Sequence, residues 1–116
     1  MNFYRYLDES DVHVIDCAGR VDLELGLARL KALAIELEAR PARGARRRLL
    51  IDLRNTVWEN EGVHRQLSLA TRRDFGLNPQ NAGLRVAILN HRWQGAIAEN
   101  EHWFLDDVAA LDWLKE

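Results

Sequence analysis

Apolar residues fall along this chain in two patterns: short runs closed by charge, and longer stretches where they recur every third or fourth position. The densest run is Leu49 to Leu53, bounded by Arg46, Arg47 and Arg48 before it and by Arg54 and Asn55 after it. Apolar side chains at nearly consecutive positions over so short a length predict a strand buried on both faces, the pattern of a central parallel strand. Leu84 to Asn90 has the same character. Phe3 to Leu7 and Val12 to Ala18 flank the polar turn Asp8-Glu9-Ser10-Asp11 and predict an opening antiparallel hairpin, ended by Gly19. One of its strands is expected at a sheet edge, with Arg5 and His13 facing water. His102 to Leu105 predicts a short last strand.

The longer stretches predict helices. Asp22 is the N-cap of one running to about Arg40, with Leu23, Leu27, Leu30, Ala34 and Leu37 on one face. Gly26 inside it costs about 1 kcal/mol relative to Ala, a cost that close packing on the sheet would offset. Pro41 and Gly44 end it. Asn60 caps a second helix from Glu61 to about Phe75, with Val63, Leu67, Ala70 and Phe75 inward and Gly76 as its stop. Asn78 to Gly83 reads as a loop. Asp106 caps a closing helix, with Asp107 near the positive end of its dipole and Val108, Leu111, Leu114 and Trp113 facing inward. His91 to Glu101 carries a weaker helical pattern around Trp93, Ala96 and Ile97. The order is β-β-α-β-α-β-(α)-β-α, an α/β domain spanning residues 1–116. Its expected core is a mixed, mostly parallel sheet of about five strands with about four helices, joined by right-handed crossovers.

Composition narrows the function classes. Nearly half of the 116 residues are apolar or aromatic, 29% are charged and the net charge is −2, which gives no reason to expect a nucleic acid or an acidic membrane as partner. Arginines are uneven: Arg40, Arg43, Arg46, Arg47 and Arg48 crowd nine positions, either as a phosphate-binding patch or as a solvated loop in a chain with fourteen Arg and two Lys. The single cysteine, Cys17, excludes an intramolecular disulfide and a cysteine-based zinc site, and its strand setting predicts a buried, inert thiol. Every apolar run is too short for a signal peptide or membrane span, so the expected location is cytoplasmic. His13, His64, His91 and His102 lie on separate elements, none in a metal motif such as H-E-x-x-H. Ser68 lacks a nucleophile elbow, and no glycine-rich phosphate loop is present. No cofactor is expected, and no catalytic grouping is recognisable.

In open sheets of this kind, function sits beyond the carboxyl ends of the central strands. That ground is the turn after Leu53, and the candidate partner- or ligand-binding residues are Arg54, Asn55, Trp58, Glu59, Asn60, Glu61, His64 and Trp93. Trp58, Trp93 and Ile97 together could line an apolar pocket beside the second helix, while Trp103 and Trp113 read as core.

Three stretches resemble the STAS domain superfamily, in particular its SpoIIAA-like (STAS/SEC14-like) branch: Gly19-Arg20-Val21-Asp22 leading into the first helix; Leu50-Ile51-Asp52-Leu53 followed by a turn and a helix; and the close from Trp103-Phe104-Leu105-Asp106 to Trp113-Leu114. The resemblance implies a sheet with helices packed on it and no chemistry of its own. In the anti-sigma-factor antagonists of that superfamily a serine at the start of the second helix is phosphorylated. The matching stretch here, Trp58-Glu59-Asn60-Glu61-Gly62, has no Ser or Thr. Glu61 there either imitates a modified residue or simply favours the helix dipole. The leading expectation is a non-enzymatic regulatory domain that contacts a protein partner through this turn. The alternative is a SEC14-like carrier or sensor of a small apolar or lipid-like ligand. An exposed strand or apolar helix face also offers a route to a homodimer.

Overall fold

The computed structural model describes residues 3–73 and 83–116. The expected helix stop at Phe75 and Gly76, and all of the following loop but Gly83, lie outside the described residues. The apolar run at Leu49 forms β4 (Arg47–Asp52), hydrogen-bonded in parallel to β2 (Val12–Asp16) on one side and to β6 (Leu84–Leu89) on the other. Beyond β2 lies β1 (Tyr4–Leu7), antiparallel to it. Beyond β6 come β8 (Glu101–Phe104), parallel, and β7 (Gly95–Ala98), antiparallel to β8. The six-stranded order is β1-β2-β4-β6-β8-β7. A separate parallel pair joins β3 (Gly19–Val21) to β5 (Thr56–Trp58). The helices are α1 (Leu23–Ala39), α2 (Glu61–Arg73) and α3 (Asp107–Lys115). The architecture is therefore α/β with a mixed sheet, as expected. The described residues hold six strands in the main sheet and three helices, against the expected five and four.

Alternation along the strands builds two cores. Val12, Val14, Leu50, Ala87, Leu89 and Phe104 point to one face and bury Ala110 and Leu114 of α3. Ile15, Leu49, Val86 and Ile88 point to the other and meet Leu33 and Leu37 of α1. On that second face the register aligns two rows across the sheet: His13, Leu49, Val86, Glu101 and then Ile15, Ile51, Ile88, Trp103. A third cluster, Val21, Val63 and Leu67, ties the small sheet to α2. The main packing partners of α2 are α1 and β5, not the large sheet.

Local chemistry explains the helix starts. Asp22 accepts from Leu25 N at 2.7 Å, Asn60 Oδ1 from Val63 N at 3.0 Å, and Asp106 from Ala109 N at 3.1 Å, so all three expected caps form. Gly26 packs closely, but against α2 and not the sheet: a Cβ there would lie 2.4 Å from Leu67 Cδ1. The inward face of α1 is also rotated from the expected one, with Gly26, Leu33 and Leu37 buried and Leu23, Leu27 and Leu30 half-buried toward the small sheet.

Other expectations are corrected. His91–Glu101 is not helical. Asn90 Oδ1 accepts from Arg92 N and Trp93 N, both at 2.8 Å, and its amide donates to Trp93 O and Phe104 O. That side chain commits the backbone to a turn, and Gly95 follows at φ +156°, a conformation that L side chains rarely adopt. The segment then returns as β7. The expected turn after β4 contains β5, and Gly19 begins β3 where it was expected only to end the hairpin. Val108 is 61% exposed, because a cap at Asp106 places Ala110 and Leu114, four residues apart, on the buried stripe.

Arg5 is exposed on the edge strand β1 as expected, but His13 is only 1% exposed. Its Nδ1 lies 2.8 Å from Tyr4 Oη, and the Tyr6 ring packs at 5.1 Å. The arginine-rich loop holds this end of the molecule. Arg40 pairs with Glu36 at 2.6 Å and stacks over Tyr6. Arg43 N donates to Asp11 at 3.0 Å, its guanidinium also contacts Asp8 O, and Arg48 donates to Ser10 O at 2.7 Å. Two of the five clustered arginines, Arg43 and Arg48, thus brace the hairpin turn, and Arg40 covers strand β1.

Two outcomes follow from this packing. Leu114→Ala should lower unfolding free energy by about 2–5 kcal/mol, as core Leu truncations do, while Val108→Ala should stay within about 0.5 kcal/mol; urea denaturation of both variants checks the contrast. Burial lowers the His13 pKa below its ordinary 6.5. Above pH 6.5 both states hold a neutral ring; below it the unfolded chain takes up the proton first, so stability falls with pH until the folded pKa is passed. The denaturation midpoint should decline over that window, and His13→Gln should flatten the slope.

Candidate functional site

The second face of the sheet does not close against its helices. Because α2 leans on α1 and β5, a cavity of about 200 Å³ remains between α1, α2 and the sheet. Its floor is the two aligned rows: Leu49 and Val86, then Ile15, Ile51, Ile88 and Trp103. From α1 come Gly26, Arg29, Leu30 and Leu33, and from α2 His64, Leu67, Ser68, Thr71 and Arg72. Trp58 and Val21 of the small sheet, with Cys17 and Leu53, complete the lining. The walls are mainly hydrocarbon and indole, with a few polar groups placed among them, the usual make-up of a small-molecule site.

Those polar groups have defined surroundings. Glu101 is 7% exposed, and its Oε2 accepts from Trp103 Nε1 at 3.2 Å. Nη1 of Arg29 is shut off from solvent with no hydrogen-bond partner, while its guanidinium carbon lies 5.7 Å from the centre of the Phe3 ring. Cys17 sits one residue past β2, not inside it, with its amide donating to Asp52 O at 3.1 Å and its carbonyl accepting from Thr56 Oγ1 at 2.8 Å. Burial pushes its thiol up to about 11, against a smaller opposing pull from the Arg29 charge. The thiol is therefore protonated near neutral pH, in keeping with an inert side chain.

The expected site residues divide. Trp58 and His64 both line the cavity, with ring centres 4.7 Å apart and planes inclined by 21°. Arg54 is engaged elsewhere: its Nε and Nη2 donate to the two Asp52 oxygens at 3.0 and 2.9 Å, and its amide donates to Asp52 as well. This bidentate clasp holds the Asp52 carboxyl below the usual carboxylate range. Asn55 accepts through its carbonyl from Gly19 N at 2.9 Å, tying β3 to the turn. Asn60 is spent on its cap; Glu59 and Glu61 are exposed at the rim. Trp93 is 45% exposed and meets Trp103 edge-on at 6.3 Å, outside the lining, and Ile97 is also exposed. Trp103, expected in the core, is the indole on the cavity floor.

Arg29, Cys17 and Glu101 were missed, though the sequence carries a signal for each. Gly26, Arg29, Leu33 and Leu37 step by three and four residues along one helix stripe, and Arg29 is the charge in it. Cys17 and Glu101 continue the every-second-residue alternation of Ile15 and of Trp103. Among the described residues no group of His, Cys, Asp and Glu could hold a metal ion, and no helix is long and apolar enough to cross a membrane. In comparisons with known proteins, the chain matches no family model and no curated protein.

A thiol with a pKa of about 11 has about a hundredfold less thiolate at pH 8 than one at the ordinary value of 9.0. Alkylation of Cys17 by iodoacetamide should accordingly be slow at pH 8 and rise about tenfold per pH unit to pH 10, followed by intact-protein mass spectrometry. A pH-independent fast rate would show the thiol to be ionised already.

Proposed function

We propose that the domain is a non-enzymatic carrier or sensor of a small apolar ligand, held in the cavity between the six-stranded sheet and the α1–α2 pair. The observation that carries this reading is the cavity itself. Packed interiors leave few voids larger than a water molecule, and an apolar cavity of about 150 Å³ is enough to take benzene. A volume of about 200 Å³ floored by Ile15, Ile51, Ile88 and Trp103 is more than a core of this size needs to leave open. The resemblance to the SEC14-like side of the STAS superfamily points the same way. The cavity lies over the helix-covered face of the sheet, and Leu53 and Trp58 border it from the side of the turn after β4.

A second reading is favoured by a different feature. Val57 is 57% exposed in the turn after β4, with Glu59 and Glu61 exposed nearby. An exposed branched apolar side chain beside acidic residues suits a protein contact, the mode that the STAS resemblance implies for regulatory members. Val57→Asp would abolish such a contact without touching the cavity.

The test uses neutral probes. Toluene and octanol titrated into ¹⁵N-labelled protein should give saturable amide shifts clustered at Cys17, Leu30, Leu67 and Trp103. Ser68→Phe, which places a ring in the cavity from α2, should remove them while keeping a folded spectrum. Shifts that do not saturate, or that survive the Phe substitution, would overturn the cavity as the binding site.

A further inference from the structure

We infer that the cavity takes a monoanionic ligand, an alkyl or aryl carboxylate of about six to nine carbons, whose head group is held by Arg29; this rests on the reading of the cavity as a ligand site. An arginine cannot escape burial by losing its proton, because its pKa lies far above any working pH. A guanidinium nitrogen shut off from water therefore needs an acceptor, and native structures supply one almost without exception. Arg29 has none at Nη1, and among the described residues no carboxylate lies within ion-pair distance of it. The Phe3 ring covers one face of the guanidinium but offers no lone pair.

The acidic groups nearby are committed. Asp52 is clasped by Arg54 at 2.9 and 3.0 Å, and Asp16, exposed at the end of β2, accepts from Ala18 N at 3.0 Å. Glu101 also lines the cavity, but from β8, three strands across from β2, a lateral span of roughly 14 Å. Arg29, by contrast, sits at the β1–β2 side, close to Phe3 and Cys17. One end of a mainly apolar cavity therefore carries a half-buried arginine whose Nη1 has neither water nor an acceptor. The complement of that arrangement is a hydrocarbon body with one anionic end. A carboxylate fits best, because its two oxygens match the fork of the guanidinium. The volume sets the length, being somewhat larger than one that accepts benzene.

Octanoate, octanol and octylammonium are a matched series that differs only in the head group. Their binding to the intact protein is measured by titration calorimetry at pH 7.5, with quenching of the lining indoles as a second signal. Octanoate should bind at least tenfold more tightly than octanol, and octylammonium no more tightly than octanol. Arg29→Met should bring octanoate to the level of octanol and leave octanol unchanged, whereas Arg29→Lys should keep part of the preference. Equal binding of octanoate and octanol by the unaltered protein would overturn the role of Arg29 while leaving the apolar site standing. Tightest binding of octylammonium would overturn it too, by moving the head group to Glu101. Binding of none of the three would overturn both readings. Because the unaltered protein alone decides between these outcomes, a variant that fails to fold does not weaken the test.

Discussion

The structure depends on the two-sided pairing of β4. Strand Arg47–Asp52 is hydrogen-bonded to β2 and β6 along its length, so its side chains must alternate between two covered faces. Leu49 goes to the α1 face and Leu50 to the α3 face, both almost wholly buried. A slip of one residue would exchange the two and carry the half-exposed Ile51 and Asp52 with them. The same alternation lays Ile15, Ile51, Ile88 and Trp103 in one row, and that row is the floor of the cavity. Site and fold are consequences of one register.

The two faces are treated differently. On one, α3 settles directly on the sheet, with Ala110 and Leu114 fully buried. Arg85 finishes the helix by donating to Trp113 O at 2.8 Å while stacking 3.9 Å from its ring. On the other, α1 covers β2 and β4 but α2 is drawn aside onto α1 and the β3–β5 pair. One face is filled and the other spanned.

What could be read from the chain alone follows from how local the controlling interaction is. Helix starts at Asp22, Asn60 and Asp106 were legible because a cap is a contact between residues three apart. The buried strands at Leu49 and Leu84 were legible because burial on both faces leaves a continuous apolar run. The segment after Asn90 was misread, since one side chain making four hydrogen bonds overrides a weak helical period. His13 was misplaced because its cover, Tyr4 and Tyr6, comes from the neighbouring strand. Of the site, Trp58 and His64 were found through their position after the central strand. Arg29 was passed over because a single arginine in a helix reads as solvated unless its neighbours at three and four residues are weighed, and Trp93 was favoured over Trp103 because exposure is not legible from residue type.

The contact between Gly26 and Leu67 has a consequence for the family of shapes this chain could adopt. The two helices approach until the leucine methyls occupy the place where position 26 would otherwise carry a methyl of its own. The gap beneath them is thus gauged by a single absent carbon. A bulkier residue at that point would have to displace those methyls, which line the same chamber, and so change its bore without altering any residue on its floor.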